Sequence, residues 1–211
     1  MKIINVRGCN GSGKTTLLRC LARSPECRVV FVAMTQEENK GRAIPVTYTP
    51  DRLAIIGDYT LAAAGQTTAG LDRIQTQAAA KRVIEKVIAA GDVDAVLFEG
   101  VIVSTIFGPW LDWSRANGGM IWAFLDTPLD VCLKRIHDRN GGKPIKEELV
   151  VAKERMVGRA KAKAVEAGER VATINWQTAL KDIKLIISDA LDGPEFGDGP
   201  EFAGWAERAS A

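Results

Sequence analysis

The chain has 211 residues, which suits one domain with a full hydrophobic core, or one domain and a small appendage, rather than two. Its 28 basic and 26 acidic side chains leave a net charge of +2, and no apolar run approaches the length of a membrane span. The early apolar residues read as a strand rather than a leader, so a soluble, unexported, cytoplasmic protein is expected. Cys9, Cys20, Cys27 and Cys132 are scattered without a metal-like spacing, which fits a reducing compartment and assigns no metal site and no disulfide.

In chain order, Lys2 to Val6 reads as a short buried strand, and Thr16 to Ala22 as a helix. Between them lies Gly8-Cys9-Asn10-Gly11-Ser12-Gly13-Lys14-Thr15, which fits G-x-x-x-x-G-K-[ST] at every fixed position. Strand, glycine-rich loop and helix in this order make a phosphate-binding loop. The glycines let successive N–H groups converge on phosphate oxygens, and the helix N-terminus adds positive potential there. Residues Gly8 to Thr16 are therefore the candidate nucleotide cradle. Lys14 is placed to reach the β- and γ-phosphates, and the Thr15 hydroxyl to bind Mg²⁺.

Arg28 to Ala33 reads as a second strand, expected to be buried on both faces, and Thr35 to Arg42 as a polar loop. Ile44 to Tyr48 offers a short extra strand, and Leu53 to Gly57 a firmer one that delivers Asp58 and Tyr59 to the ligand side of an α/β sheet. Gly65 to Arg73 is small and polar and reads as a substrate-binding loop, with a helix starting near Leu71 and stopping at Gly91. Lys81, Arg82 and Lys86 on that helix read as a solvated face in preference to a nucleic-acid patch.

Asp94 to Gly100 is a further strand whose Glu99 is the natural partner of Thr15 through Mg²⁺. Trp110 and Trp113, three residues apart, read as core or lid before they read as base-stacking platforms. Met120 to Leu125 is a strand, and Asp126-Thr127-Pro128 opens a helix, Leu129 to Arg139, on which Arg135 and Arg139 share a face. Gly141 to Pro144 breaks the chain before a helix from about Lys146 to Ala167 carrying Lys153, Arg155 and Arg159. The pair resembles an arginine-bearing lid over a triphosphate, spanning about 129–168; a solvated basic face fits the same pattern. His137 reads as a surface residue. A strand at 170–176 and a helix at 178–190 close the domain, 1–190.

Residues 191–211 repeat Asp-Gly-Pro-Glu-Phe and hold five carboxylates against Arg208 alone, so this tail carries −4 and the preceding 190 residues +6. Its composition is that of a flexible extension. The positive surplus on the domain suits phosphate handling and permits contact with nucleic acid.

The fold class is thus α/β: a three-layer phosphate-loop kinase-like fold with a mainly parallel sheet of about five strands, a helical lid and a flexible acidic tail. Asn39-Lys40-Gly41-Arg42 lacks the aspartate of a guanine-reading N-K-x-D, and Glu99 stands alone where motor ATPases show paired acids. A small domain with an arginine-bearing lid after its fifth strand resembles the nucleotide and nucleoside kinase group of phosphate-loop enzymes, which implies γ-phosphoryl transfer from ATP, or another nucleoside triphosphate, to a small acceptor, with Mg²⁺, Lys14, Arg135, Arg139 and Arg155 neutralising charge. Asp58, Asp72 and Glu99 are the candidates to orient or deprotonate an alcohol acceptor.

At Gly57-Asp58-Tyr59, Gly70 to Gln77, Leu97 to Ile106 and Gly118 to Pro128, the chain resembles the bacteriophage 5-hydroxymethyluracil DNA kinases over about residues 1 to 190. Thr68-Ala69-Gly70 departs from a Cys-Gly-Gly-like run in that family. The resemblance implies phosphorylation of the hydroxymethyl group of a modified uracil already in phage DNA, a step in thymidine hypermodification, inside the host cytoplasm. A kinase of free nucleosides or nucleotides and a non-catalytic nucleotide-dependent binding module are the alternatives.

Overall fold

Strand β1 (Lys2–Arg7) lies at the centre of the parallel part of the sheet in the computed structural model, which describes residues 1–60, 70–74 and 76–192, the side chains of 72, 73 and 192 excepted. Around it run α1 (Lys14–Leu21), β2 (Arg28–Val32), the single turn α2 (Gln36–Asn39), β3 (Ile44–Tyr48), β4 (Leu53–Ile56), a 3₁₀ turn (Gly70–Arg73), α3 (Gln77–Ala90) and β5 (Ala95–Glu99). Then follow α4 (Val101–Thr105), α5 (Gly108–Ala116), β6 (Ile121–Asp126), α6 (Leu129–Arg139), α7 (Glu147–Glu166), β7 (Arg170–Asn175) and α8 (Ala179–Asp192).

Among the described residues seven strands form one sheet, in the order β2-β3-β4-β5-β1-β6-β7. The five strands from β4 to β7 in that order are mutually parallel, matching the expected parallel core; β3 and β2 extend it in antiparallel fashion. The turn between β3 and β4, residues 49–52, is too short for a parallel crossover, so β3 must return alongside β4. Arg52 stands in the left-handed region there, with φ 56°.

The expectation that Arg28 to Ala33 is buried on both faces is overturned. As the edge strand β2 has one neighbour, and Val30 and Phe31 are 39% and 66% exposed. A run of β-branched residues does not distinguish a central strand from an edge. The central strands do bury both faces. In β5, Ala95 and Leu97 face one apolar layer while Val96 and Phe98 face the other, and β6 alternates in the same way. Leu17 and Leu18 of α1 with Ile183, Ile186 and Ile187 of α8 cover one side. Val83, Ile84 and Val87 of α3, Trp110 and Trp113 of α5, and Val157 and Ala164 of α7 cover the other. Each such fully buried aliphatic side chain contributes about 1.5–3 kcal/mol of burial.

Trp110 and Trp113 are core residues: Trp110 stacks 5.2 Å from Phe98, and Trp113 donates its indole N–H to Glu85 at 2.8 Å. The helix expected to begin near Leu71 begins at Gln77 instead, because the Thr76 hydroxyl caps the Ala79 N–H; Gly91, at φ 71°, ends it as expected. Thr35 and Glu38 form a reciprocal cap that turns part of the expected 35–42 loop into α2. Glu38 also takes Arg82 and Lys86, each at 2.7 Å, so those bases lie in a solvated ion-pair cluster as expected. Most of the expected substrate loop, 65–69, and the tail from 193 onward lie outside the described residues.

Candidate active site

The chain leaves β1 toward β2 to β5 on one side and later crosses to β6 and β7 on the other, so the crevice at the C-terminal end of β1 is the switch point where α/β sheets bind ligands. The phosphate loop occupies it. Parallel register sets Val6 opposite Glu99, which brings the last residue of β5 to the loop's edge.

The loop is held from below and from the side. The Gly8 N–H donates to Ser104 Oγ at 3.2 Å, while that hydroxyl donates to the Gly100 carbonyl at 2.6 Å. Thr127 Oγ1 donates to the Ser12 carbonyl at 2.9 Å. Gly11, at φ 78°, lies so close to α6 that a Cβ there would stand 2.4 Å from the Cys132 carbonyl oxygen. Gly13, at φ 101°, turns the chain into α1. Lys14 is buried and donates to the carbonyls of Gly8 and Cys9, both at 2.9 Å, which folds its ammonium back over the loop. The Ser12 hydroxyl is buried with no hydrogen-bond partner among the described residues, a donor suited to a phosphate oxygen.

Asn10 to Thr16 open onto a cavity of about 580 Å³ together with Glu99, Val101, Leu125, Arg135, Arg139 and Trp176. Arg135 donates to the carbonyls of Gly11 and Ser12 at 3.4 and 3.3 Å, and its guanidinium stands 5.0 Å over the Trp176 ring. Thr15 Oγ1 donates to Glu99 Oε1 at 2.9 Å, and Tyr59 Oη donates to the same oxygen at 3.0 Å. A hydroxyl and a carboxylate beside a phosphate cradle are hard oxygen donors of the kind Mg²⁺ takes, since that ion uses one or two protein ligands and completes its shell with water and phosphate.

Of the residues singled out in the sequence, the structure joins the loop, Glu99, Arg135 and Arg139 around one space. Gly8 and Cys9 lie beneath it rather than lining it. Cys9 is buried with its sulfur 3.5 Å from Cys132 Sγ; that hydrogen bond and the charge of Lys14 pull the Cys9 thiol down to about 7, while the same contact pushes Cys132 up. Asp58 stands beside the site, its carboxylate engaged by the Thr60 N–H and hydroxyl at 3.2 and 2.8 Å. The Asp72 backbone belongs to the 3₁₀ turn, and its side chain is outside the described residues. Arg155 does not reach the cavity: it is exposed on α7, whose Val150, Val157, Ala160 and Ala164 turn the opposite face inward. His137 is exposed, as expected.

Two site features escaped the sequence reading. Tyr59, delivered to the ligand side by β4 as expected, is 1% exposed and serves Glu99. Trp176 follows the C-terminal end of β7, and the rule that ligands gather at such ends would have flagged it. Beneath the loop, Arg7 is fully buried: its guanidinium lies 4.1 Å over Trp122 and donates to the Ile106 carbonyl at 2.9 Å. The Asn5 amide oxygen, oriented to satisfy both groups, accepts from Arg7 Nη2 and Nε at 3.0 Å. Burial lowers the Arg7 pKa to about 9.

A mainly parallel sheet carrying this loop, with a buried lysine, a hydroxyl and carboxylate in contact and two arginines around one cavity, defines a phosphate-loop phosphotransferase of the kinase type. The family model described as "5-hmdU DNA kinase" matches residues 1–177. The chain belongs to the 5-hmdU DNA kinase family. It is 68% identical to the 5-hmdU DNA kinase of Pseudomonas phage M6 over 189 residues, covering 90% of this chain and 99% of the relative. It is 31% identical to 5-hmdU DNA kinase 1 of Salmonella phage ViI over 161 residues, covering 70% and 64%. Among solved structures, a deoxyadenosine kinase from M. mycoides aligns over 90% of this chain and 98% of its own, at 13% identity and a TM-score of 0.40. Among the described residues no helix is long and apolar enough to cross a membrane.

Proposed function

We propose that this phosphotransferase moves the γ-phosphate of ATP to the hydroxymethyl oxygen of 5-hydroxymethyluracil within DNA. The observation that carries the reading is the joining of Lys14, the Thr15–Glu99 pair and Arg135 around one cavity, in a chain of this family. Phosphoryl transfer asks for alignment and charge neutralisation rather than covalent help. The loop N–H groups and Ser12 hydroxyl bind the β- and γ-phosphates; Lys14, released from the Gly8 and Cys9 carbonyls, places its charge on the migrating group. Arg135 and Arg139 face the same phosphates from α6, and Trp176 offers a flat surface for the base of the nucleotide. Thr15 and Glu99 would hold Mg²⁺, which neutralises the phosphate oxygens when bound.

The alcohol proton needs an acceptor. Glu99 is already engaged by Thr15 and Tyr59, and Asp58 by Thr60. Asp72 is the strongest candidate of the three, because it lies two residues beyond Gly70, whose backbone rests on Glu99. A base inside a duplex has to leave the stack before its hydroxymethyl group can meet a phosphate held in such a cavity.

Incubation with γ-labelled ATP and either 5-hydroxymethyluracil DNA or the free nucleotide tests this reading. Label in the DNA supports it. Label only in the monomer identifies a free-nucleotide kinase, and label in neither a non-catalytic binding module.

A further inference from the structure

Tyr59 makes no part of the cavity wall, yet three separate features fix its backbone, its ring and its hydroxyl in place. First, the peptide that carries it is clamped: buried Thr47 Oγ1 on β3 accepts the Tyr59 N–H at 3.0 Å and donates to the Gly57 carbonyl at 2.7 Å. This ties the strand end to its antiparallel neighbour. Second, Gly57, at φ 127°, leaves no space for a side chain, since a Cβ there would stand 2.8 Å from Tyr59 Cε2 and 2.6 Å from the Gly70 nitrogen. Third, Gly70, at φ 65°, seats on the Tyr59–Glu99 pair; a Cβ on it would stand 2.4 Å from Tyr59 Oη and 3.1 Å from Glu99 Oε1. The ring thus lies against Gly57, with its hydroxyl beside Gly70 of the 3₁₀ turn and aimed at the Glu99 carboxylate oxygen that also receives Thr15.

The geometry points to Tyr59 as a positioning residue for the reaction: its hydroxyl holds Glu99 Oε1 against Thr15 and so sets the direction in which the carboxylate presents itself to Mg²⁺. This rests on the reading of Glu99 and Thr15 as the pair that works on the metal. A group that orients a metal-binding carboxylate in this way is worth about 10–100-fold in metal affinity or activity. A tyrosine that merely fills the core would be worth stability alone. The neighbouring glycines are part of the same device, because a side chain at 57 would press on the ring and on Gly70, and one at 70 on the hydroxyl and Glu99.

Tyr59→Phe keeps the ring and removes only the donor. Mn²⁺ binding in the presence of a non-hydrolysable ATP analogue, followed by electron paramagnetic resonance, is expected to weaken about tenfold. In turnover the Mg²⁺ concentration for half-maximal rate rises and kcat falls, while KM for DNA stays unchanged. 4-Aminophenylalanine at position 59, which restores a donor, is expected to recover most of the loss. In a Glu99→Gln background the Tyr59→Phe change is expected to add nothing, since it acts through Glu99. Unchanged Mn²⁺ affinity in Tyr59→Phe, an undiminished effect in the Glu99→Gln background, or no recovery with the amino analogue in a folded protein overturns the inference. Wild-type protein that holds no Mn²⁺ beside the analogue overturns the metal reading of Thr15 and Glu99, and this inference with it.

Discussion

Helices α6 and α7 are consecutive, and each carries two arginines four residues apart, Arg135 and Arg139 on one and Arg155 and Arg159 on the other. Only the first pair reaches the cavity. The difference lies in which face each helix buries. The α6 backbone at Cys132 lies against the phosphate loop at Gly11, which leaves Arg135 beside the loop carbonyls. Val150, Val157, Ala160 and Ala164 turn α7 onto the sheet and α5 side of the molecule, so Arg155 and Arg159 point to solvent. Equal charge at equal spacing therefore becomes part of a site in one helix and a solvated face in the other.

The contrast is testable from its strongest point downward. Lys14→Ala sets the scale: transfer of label is expected to fall by about 10³-fold or more, with circular dichroism unchanged, because the lysine acts through charge placement. Arg135→Ala is expected to cost about 10²-fold in kcat, the value of one preorganised donor at a developing charge. Gly11→Ala attacks the seam that places Arg135. A methyl at φ 78° against the Cys132 carbonyl costs about 1–3 kcal/mol, seen as a fall in Tm of roughly 2–4 °C per kcal/mol together with weakened ATP binding. Arg155→Ala is expected to leave kcat and KM for ATP within about twofold of wild type, since an exposed site away from the cavity rarely shifts energies by more than about 0.5 kcal/mol. Loss of turnover comparable to that of Arg135→Ala would dissolve the distinction between the helices.

The smallest effect belongs to the third basic helix, α3. Lys86, then the Thr35 N–H and Arg82, hold the Glu38 carboxyl at about 2. A carboxylate lowered on folding contributes stability above its unfolded pKa of about 4.3, and that contribution fades as the pH falls toward 2. The Tm difference between wild type and Glu38→Gln is expected to be small at pH 7 and to vanish near pH 2; a difference that grows on acidification would contradict the pairing.

Local rules were readable along much of the chain. The phosphate loop is a matter of adjacent residues, and its strand, glycines and helix lie within some twenty positions. The carboxylate at the end of β5 is placed by the simple rule that parallel strands point their C-terminal ends at the ligand. Capping was readable too, as at Gly91. The edge position of β2 was not, because exposure of Phe31 depends on the absence of a second neighbouring strand. The role of Tyr59 was hidden for the same reason: its partner, Glu99, is 40 residues away.

What the sequence determined by itself is the chemistry available: a cradle for phosphates, a lysine, a hydroxyl and a carboxylate at a strand end, in an α/β chain of this family. Tertiary structure alone decided which of several equivalent arginines and carboxylates share that space. Side-chain type and spacing are local properties, whereas the face a helix buries and the partner a hydroxyl meets are set by packing against residues far along the chain.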